Sequence, residues 1–308
     1  MTPKKVAAVV NPASANGATA RRWPEIARLL AQEGIDFDTY LTGGPGDATV
    51  HTRQMLEKGY DLIISVGGDG TANEVANGFF TASGPVREGA AIAFIFIGTG
   101  CDLIRTLGIP REPEAAVRHL ARASRRPIDV GRVKFTGHDG NAQTRYFINV
   151  AGLGLDGDTV ARVNRTSKAL GGFISFLWGT VASLLLYRNW QMAVTVDDRL
   201  VCDAPLTVAV IGNGRYFGGG MCIAPHAEMD DALFDIIILQ NMGKISLLFN
   251  LPKVYRGSHL SHPKITALRG RKVTVTAKDP TLLELDGEQP GCAPVEIELL
   301  PRALLVQG

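Results

Sequence analysis

The strongest constraint on the fold is an alternation of buried-strand and helix patterns in the first part of the chain. Apolar, β-rich runs occupy Lys5–Asn11, Asp36–Thr42, Tyr60–Val66 and Ala90–Gly98. Segments with helical patterns lie between them, at Trp23–Gly34, Asp47–Gly59 and Thr71–Phe80. Parallel strands need crossover connections, and helices then cover both faces of the sheet. This order therefore predicts a Rossmann-like α/β fold with a parallel sheet.

The pattern changes after Ile128–Val133. Shorter segments with a period of two follow, namely QMAVTVDD, PLTVAVIG, LFDIIIL, KVTVTAKD, LLELDG and PVEIELL. That period predicts an antiparallel sheet or sandwich. We place the boundary within Pro127–Arg132, which divides the 308 residues into an α/β domain (1–129) and a β-sandwich domain (130–308). The last residues of the chain could return to the first domain.

Composition excludes several classes of protein. The net charge is only +2, without a long basic tract, so we expect no nucleic-acid partner. The four cysteines are far apart and form no CxxC pair, which argues against a zinc cluster or disulfide framework and favours the cytoplasm. Ala169–Tyr187 is a run of uncharged residues, but glycine, serine and threonine interrupt it. We interpret it as a buried or membrane-facing amphipathic helix, which would give peripheral membrane association.

The loop Gly67-Gly68-Asp69-Gly70-Thr71 lies between the third predicted strand and a helix. This arrangement directs backbone N–H groups and a helix N-terminus at an anion, most naturally a phosphate. The loop has neither the lysine of a P-loop nor the GxGxxG spacing of a dinucleotide site. Asp69 repels phosphate unless a cation lies between them, so a magnesium nucleotide is the consistent ligand. The alternative is a tight turn in which Asp69 or Thr71 caps the helix.

Three further segments end at the same predicted edge of the sheet. Asn11-Pro12 follows the first strand, Thr42 ends the second, and Gly98–Asp102 follows the fourth. Ligands of open α/β sheets bind at the carboxyl ends of the strands. Each segment alone is equally consistent with an ordinary turn.

Four motifs together resemble the diacylglycerol kinase catalytic family: the early NP, VGGDGTANEVANG, GTGCDLIRTLGIP and LELDGE. The bacterial soluble lipid kinases are the most similar branch, with the sphingosine and ceramide kinases as relatives. GGDGT alone is shared with NAD kinases, so the combination carries the resemblance. It implies ATP, Mg²⁺ and a lipid substrate at the membrane surface, with ATP and lipid meeting in a cleft between the two domains.

The resemblance also implies roles for individual residues. Asp69 and Asp102 would act on Mg²⁺ and the phosphates. The predicted nucleotide site comprises Asn11, Thr42, Val66, Gly67, Gly68, Asp69, Gly70, Thr71, Ala72, Thr99 and Asp102.

The segment LELDGE contains the predicted acceptor side of the reaction. Asp-Gly between alternating apolar residues is by itself a hairpin signal. Phosphoryl transfer to an alcohol needs a group that orients the hydroxyl and accepts its proton, and the resemblance assigns that role here. Asp286 is the preferred base, and Glu288 is a rival or a metal-linked partner.

The segment CIAPHAEMDDALFDI resembles a part of the family that binds a structural Mg²⁺. The implied ligands are the Asp231 carboxylate and the backbone oxygens of Glu228 and Leu233; a solvated turn acid is the alternative. Ala232 stands where glycine is usual, and Cys101 stands where asparagine is usual. His259 and His262 have no apparent third ligand, so we interpret them as surface or structural residues.

These patterns predict an ATP- and Mg²⁺-dependent kinase that phosphorylates the hydroxyl of a diacylglycerol-like lipid. Two alternatives stay open: an NAD kinase, which shares GGDGT, and a nucleotide- or lipid-binding sensor without turnover. The sequence determines neither the acceptor nor the oligomeric state, and a homodimer is left open.

Overall fold

A computed structural model describes residues 5–98, 100–155, 157 and 188–308. The chain divides into two compact units, the first comprising Met1–Ile128 with Arg302–Gly308 and the second Asp129–Pro301. Two predictions of the sequence lie outside the described residues: the nucleotide contact of Thr99 and the amphipathic helix at Ala169–Tyr187. Within the described parts, no helix is long and apolar enough to cross a membrane.

The first unit contains a parallel sheet. Strand β1 (Val6–Val10) pairs with β2 (Asp38–Leu41) and β3 (Leu62–Gly67), and β3 pairs with β6 (Ala91–Phe96), always in parallel. The chain end completes it, because Leu305 and Val306 pair in parallel with β6. Every residue of β3 and β6 is buried. Since the strands run the same way, their carboxyl ends share one edge.

Five helices accompany this sheet: α1 (Ser14–Gln32), α2 (Asp47–Glu57), α3 (Asp69–Gly78), α4 (Asp102–Leu107) and α5 (Pro113–Arg122). One core joins Ile26 and Leu30 of α1 and Val117 and Leu120 of α5 to the strands. Helix α1 begins earlier than the predicted Trp23, but φ is positive at Ala15, Asn16 and Gly17. The regular amphipathic helix therefore starts only after that break. A two-stranded ribbon, β4 (Phe80–Thr81) and β5 (Gly84–Pro85), follows α3.

The second unit is an antiparallel, sandwich-like β structure. Its strands are β7 (Arg125–Gly137), β8 (Ala142–Phe147), β9 (Val150–Gly154), β10 (Trp190–Val196), β11 (Arg199–Gly212), β12 (Tyr216–Phe217), β13 (Met221–Cys222), β14 (Phe234–Gln240), β15 (Ile265–Gly270), β16 (Lys272–Ala277), β17 (Leu282–Leu285) and β18 (Glu288–Gln307). Strands β15, β14, β11, β10, β16 and β18 are neighbours in that order. Strand β9 pairs with both β11 and β17. Phe147 and Phe234 stack in its core with ring centroids 5.6 Å apart.

Helix α6 (Lys244–Tyr255) lies among these strands and is followed by a 3₁₀ turn at His259–Ser261. The sequence predicted neither α6 nor the helices α4 and α5. Pro252 interrupts the helical pattern of α6, and α4 is only six residues long. In α5 the signal was present, because Pro113 occupies the first turn and Ala116, Val117 and Leu120 form a buried face.

Candidate active site

The loops that leave β1, β2, β3 and β6 meet at the carboxyl edge of the parallel sheet. The N–H of Asn11 donates to the carbonyl oxygen of Val66 at 3.0 Å, and that of Thr42 donates to Val10 at 2.9 Å. The N–H of Ile97 donates to the carbonyl oxygen of Gly67 at 2.8 Å. Backbone hydrogen bonds thus bring together the four segments that the sequence placed at one edge.

The turn from β3 to α3 is packed too tightly for a side chain at its first position. A Cβ atom on Gly67 would lie 2.5 Å from Thr71 Oγ1. Thr71 is buried, and its Oγ1 accepts a hydrogen bond from Asn11 Nδ2 at 3.0 Å. The N–H of Ala72 donates to the carbonyl oxygen of Gly68 at 3.0 Å, which closes the first turn of α3. Asn11 and Thr71 therefore shape the turn around the helix start.

The helix start is a suitable site for an anion. Helix α3 begins at Asp69, and no side chain caps it at Gly68. The first N–H groups of an α-helix have no partner within the helix and carry partial positive charge. Gly68 and Gly70 add no side chain there, so an anion can approach the backbone closely.

Asp69 places a carboxylate beside this helix start. Its Oδ2 accepts the N–H of Cys101 at 3.1 Å, which ties the GGDGT turn to the loop after β6. A Cβ atom on Gly100 would lie 2.5 Å from the same oxygen. Asp102, in the first turn of α4, is a second acid of this region and is buried, whereas Asp69 is half-buried. Two carboxylates on connected loops form a donor set suited to Mg²⁺ that arrives with a nucleotide.

Cys101 occupies a backbone conformation that its side chain does not favour. Its φ is 56° and its ψ is 31°, in the left-handed region that asparagine tolerates better. Its Sγ lies 3.5 Å from the carbonyl oxygen of Gly98. Burial, and then the nearby Asp69 carboxylate, raise the pKa of the thiol. The neutral thiol thus takes the place of the polar amide that the resemblance led us to expect.

In the second unit, Asp286 lies at the tip of a hairpin and is buried. Asp286 and Gly287, with φ of 48° and 90°, form the two-residue turn between β17 and β18, in which Leu285 pairs with Glu288. The Asp-Gly hairpin signal was therefore correct. Glu288 is half-buried at the start of β18.

The Asp286 carboxylate accepts three backbone N–H groups. Its Oδ2 accepts from Ile148 at 2.9 Å, while its Oδ1 accepts from Asn149 at 3.0 Å and from Val150 at 2.9 Å. The N–H of Asp286 donates to the carbonyl oxygen of Val150 at 3.0 Å. Such donors fix the orientation of a carboxylate. Asp286 thus has a structural role, and the catalytic role stays a prediction.

Two buried polar residues that the sequence analysis missed extend this network. Asn213 Nδ2 donates to the carbonyl oxygens of Asp129, at 2.9 Å, and Ile148, at 2.8 Å. The Oδ2 atom of Asp129 accepts the N–H of Ala232 at 2.7 Å. Neither Asn213 nor Asp129 is exposed to solvent. The available signal was a single polar residue within an apolar run, in IDV and in VIGN.

The cation beside Asp231 is the side chain of Arg269. Arg269 forms an ion pair with Asp231 Oδ2, and the N–H of Leu233 donates to Asp231 Oδ1 at 3.1 Å. Glu228 is exposed, and the described residues contain no group of three or more His, Cys, Asp or Glu side chains that could hold a metal. Both Asp231 oxygens are thus engaged, an arrangement that does not fit a resident Mg²⁺. The metal site at Glu228, Asp231 and Leu233 stays a prediction.

Comparison with known proteins shows which family the chain belongs to. Residues 5–133 match the model of the diacylglycerol kinase catalytic domain. Residues 149–308, more than half of the chain, match that of the YegS C-terminal NAD kinase beta sandwich-like domain. The chain belongs to the diacylglycerol kinase family.

Relatives with this family name cover nearly the whole chain. A diacylglycerol kinase of Bacillus subtilis is 29% identical over 98% of this chain and 96% of its own length. A crystal structure described as that of a candidate diacylglycerol kinase from Bacillus anthracis is 26% identical, covers 98% of this chain and 97% of its own, and superposes with a TM-score of 0.78. An NAD kinase from Archaeoglobus fulgidus, 16% identical, covers 98% of this chain and 93% of its own with a TM-score of 0.50, which shows a similar fold only. The chain is therefore a kinase of the lipid-kinase family, and the first hypothesis of the sequence analysis is confirmed at that level.

Proposed function

We propose that this diacylglycerol kinase family member transfers the γ-phosphoryl group of ATP to the hydroxyl of diacylglycerol, producing phosphatidic acid for phospholipid synthesis. The observation that carries the proposal is the convergence of four loops on the uncapped start of α3, with Asp69 beside it. That edge belongs to a Rossmann-like parallel sheet, where α/β folds bind phosphorylated ligands.

In this proposal the first unit binds ATP, with Mg²⁺ entering as part of the nucleotide substrate. The N–H groups of Gly68, Asp69 and Gly70 would donate hydrogen bonds to phosphate oxygens, and the carboxylates of Asp69 and Asp102 would hold the cation. Asn11, Thr42, Val66, Gly67, Thr71 and Ala72 shape the remainder of the pocket, and the nucleotide contact of Thr99 stays a prediction from the sequence. Phosphoryl transfer proceeds through a loose transition state, so positioning and charge stabilisation supply most of the catalysis.

The acceptor side is assigned to the second unit. A loose transition state needs the acceptor hydroxyl to be oriented more than it needs a strong base. Asp286 suits that role, because three N–H donors hold its carboxylate in one orientation. Those donors already contact both carboxylate oxygens of Asp286, which leaves Glu288 as the rival for taking up the proton.

The roles of the two nucleotide-side acids can be tested with radiolabelled ATP and diacylglycerol in mixed vesicles. We expect Asp69→Asn and Asp102→Asn to lower turnover by about 10²-fold or more, the typical loss of a preorganised charge contact. Asp36→Asn is the matched control, because it removes an exposed carboxylate from the same unit. Lipid labelling that is unchanged in both site variants would refute the proposed site.

An NAD kinase is the second candidate, because an NAD kinase shares this fold at a TM-score of 0.50. The LELDGE segment and the near full-length match to named diacylglycerol kinases favour the lipid acceptor. Such an acceptor also requires the enzyme to act at a membrane surface, as a peripheral protein.

A further inference from the structure

Helix α6 presents a continuous apolar stripe to solvent. Ile245 is 74% exposed, Leu248 52% and Phe249 76%. Together with exposed Pro252 they recur at i, i+3, i+4 and i+7, on one face of the helix. Single exposed apolar residues are ordinary, whereas contiguous ones mark an interaction surface. We call these four residues the α6 stripe.

The opposite face of α6 already anchors the helix to its own unit. Leu247 is buried and forms a small core with Met242, against which Leu155 and Leu239 pack. Val254 packs against a second apolar cluster that includes Ile223 and Ile237. The α6 stripe is therefore not needed to hold the helix in place.

Basic side chains surround the α6 stripe. At 3.6 residues per turn, Lys244 and Lys253 lie on opposite sides of it, about 100° and about 80° from Ile245. Arg256, at the end of the helix, is exposed. Lys264 is also exposed, and its Nζ donates to the carbonyl oxygen of Asn241, just before the helix.

The sequence around the helix is basic throughout. From Asn241 to Lys278 it contains eight lysines and arginines and no aspartate or glutamate, although the whole chain carries only +2. Arg269 and Lys272 are neutralised by ion pairs with Asp231 and Asp198. Four of the remaining six, Lys244, Lys253, Arg256 and Lys264, lie on α6 or in the segment that directly follows it.

We propose that the α6 stripe docks on an anionic lipid bilayer. The apolar side chains enter the boundary between headgroups and acyl chains, and the flanking lysines reach the lipid phosphates. A second copy of the chain is disfavoured as the occupant, because two faces of the same charge would repel each other. The inference rests on the proposed function insofar as it explains how a lipid kinase reaches its acceptor.

Vesicle sedimentation tests the docking without any need for turnover. The probes are vesicles of phosphatidylcholine alone and vesicles that also contain phosphatidylglycerol. We expect the wild type to prefer the anionic vesicles, and the double variant Ile245→Ser with Phe249→Ser to bind them at least about tenfold more weakly. Lys253→Glu should weaken binding to the anionic vesicles by about fivefold or more. Leu200→Ser, at another exposed apolar residue of the same unit, and Arg199→Glu should bind like the wild type.

Two results would overturn the proposal. One is unchanged binding of the α6 variants to anionic vesicles. The other is a wild-type dimer in sedimentation velocity that the double variant abolishes while vesicle binding persists, since the stripe would then join two copies.

A parallel assay separates failure of the docking from failure of the proposed function. The substrate is a short-chain diacylglycerol dispersed as monomers, which needs no bilayer. We expect the α6 variants to phosphorylate it at the wild-type rate and to lose turnover only on vesicle-embedded diacylglycerol. A wild type that binds vesicles but phosphorylates neither substrate would refute the lipid-kinase function and leave the docking supported.

Discussion

At the scale of single residues, the close approach of Thr71 leaves room only for glycine at position 67. We expect Gly67→Ala to destabilise the protein by about 1–3 kcal/mol through overpacking and to abolish ATP binding, because the turn must move. Thermal unfolding and titration calorimetry with ATP measure the two effects. Gly44→Ala is the matched control, since a Cβ atom there meets no atom within 4 Å. Equal behaviour of the two variants would contradict the packing argument.

The carboxylate at position 286 is expected to support both the fold and the reaction. In Asp286→Asn the side-chain amide opposes a backbone N–H group, and we expect the free energy of unfolding to fall by about 1.5–3 kcal/mol. Glu288→Gln changes a half-buried side chain and should cost less than about 0.5 kcal/mol. Urea unfolding of both variants measures the difference. Equal stabilities would show that the three N–H contacts do not hold the 148–150 segment.

At the scale of secondary structure elements, a buried histidine links the turn after α6 to the segment after β13. His259 is 2% exposed, and its ring nitrogen Nε2 lies 3.0 Å from the carbonyl oxygen of Ile223. Burial lowers the pKa of His259 below its usual value of 6.5. The unfolded chain therefore binds the proton more readily than the folded protein does.

From this we predict acid sensitivity with a defined sign. Stability should be complete above about pH 6.5 and should decline as the pH falls from there through the folded pKa, by at most about 1.4 kcal/mol per pH unit. The variant His259→Gln should lose this decline of stability at acid pH, while His262→Gln should retain it. Unfolding free energies measured between pH 5 and pH 8 test the prediction. An identical pH dependence in the wild type and His259→Gln would exclude His259 as the source.

The loop between β13 and β14 contains Asp231, which could bind either a metal ion or the guanidinium of Arg269. A bound Mg²⁺ would stabilise the protein by about 2.7 kcal/mol at a concentration a hundred times its Kd. Because Arg269 already pairs with Asp231, we expect neither Mg²⁺ nor a chelator to change the melting temperature of the nucleotide-free protein. Thermal scans of the wild type and Asp231→Asn provide the test. A Mg²⁺-dependent rise that Asp231→Asn removes would restore the metal site predicted from the sequence.

Local patterns in the sequence were sufficient for the parallel strands β1, β2, β3 and β6 and for the GGDGT turn, but not for β8, β9 or β15 of the second unit. The apolar runs of β1, β3 and β6 are continuous. The glycine-rich segment from Gly67 to Thr71 ends the apolar run of β3 where α3 begins. The contacts of Asp286 could not be predicted in this way, because its N–H donors lie about 137 residues away in the chain. The same is true of Arg269 on Asp231 and of Asn213 on Asp129. Such contacts depend on which strands become neighbours, and residue spacing does not encode that.

At the scale of the whole molecule, the proposed phosphate-binding edge lies in the first unit, and the buried network around Asp286 lies in the second. Strand β18, near the end of the chain, begins in the second unit and ends in the first. Strand β18 pairs with β16 in the second unit, and its last residues pair with β6 in the first. The family match covers the same extent, since residues 5–133 and 149–308 each match a domain model. We propose that this chain transfers the γ-phosphoryl group of ATP to diacylglycerol.

The most direct test of that claim is acceptor competition. The purified chain is incubated with Mg²⁺, radiolabelled ATP, diacylglycerol in anionic vesicles and an equal concentration of NAD, and the lipid and aqueous products are separated. We predict label in phosphatidic acid, none in NADP, and loss of the lipid label in Asp69→Asn. Label in NADP, or no transfer to diacylglycerol by the wild type, would contradict the proposal that the chain is a diacylglycerol kinase.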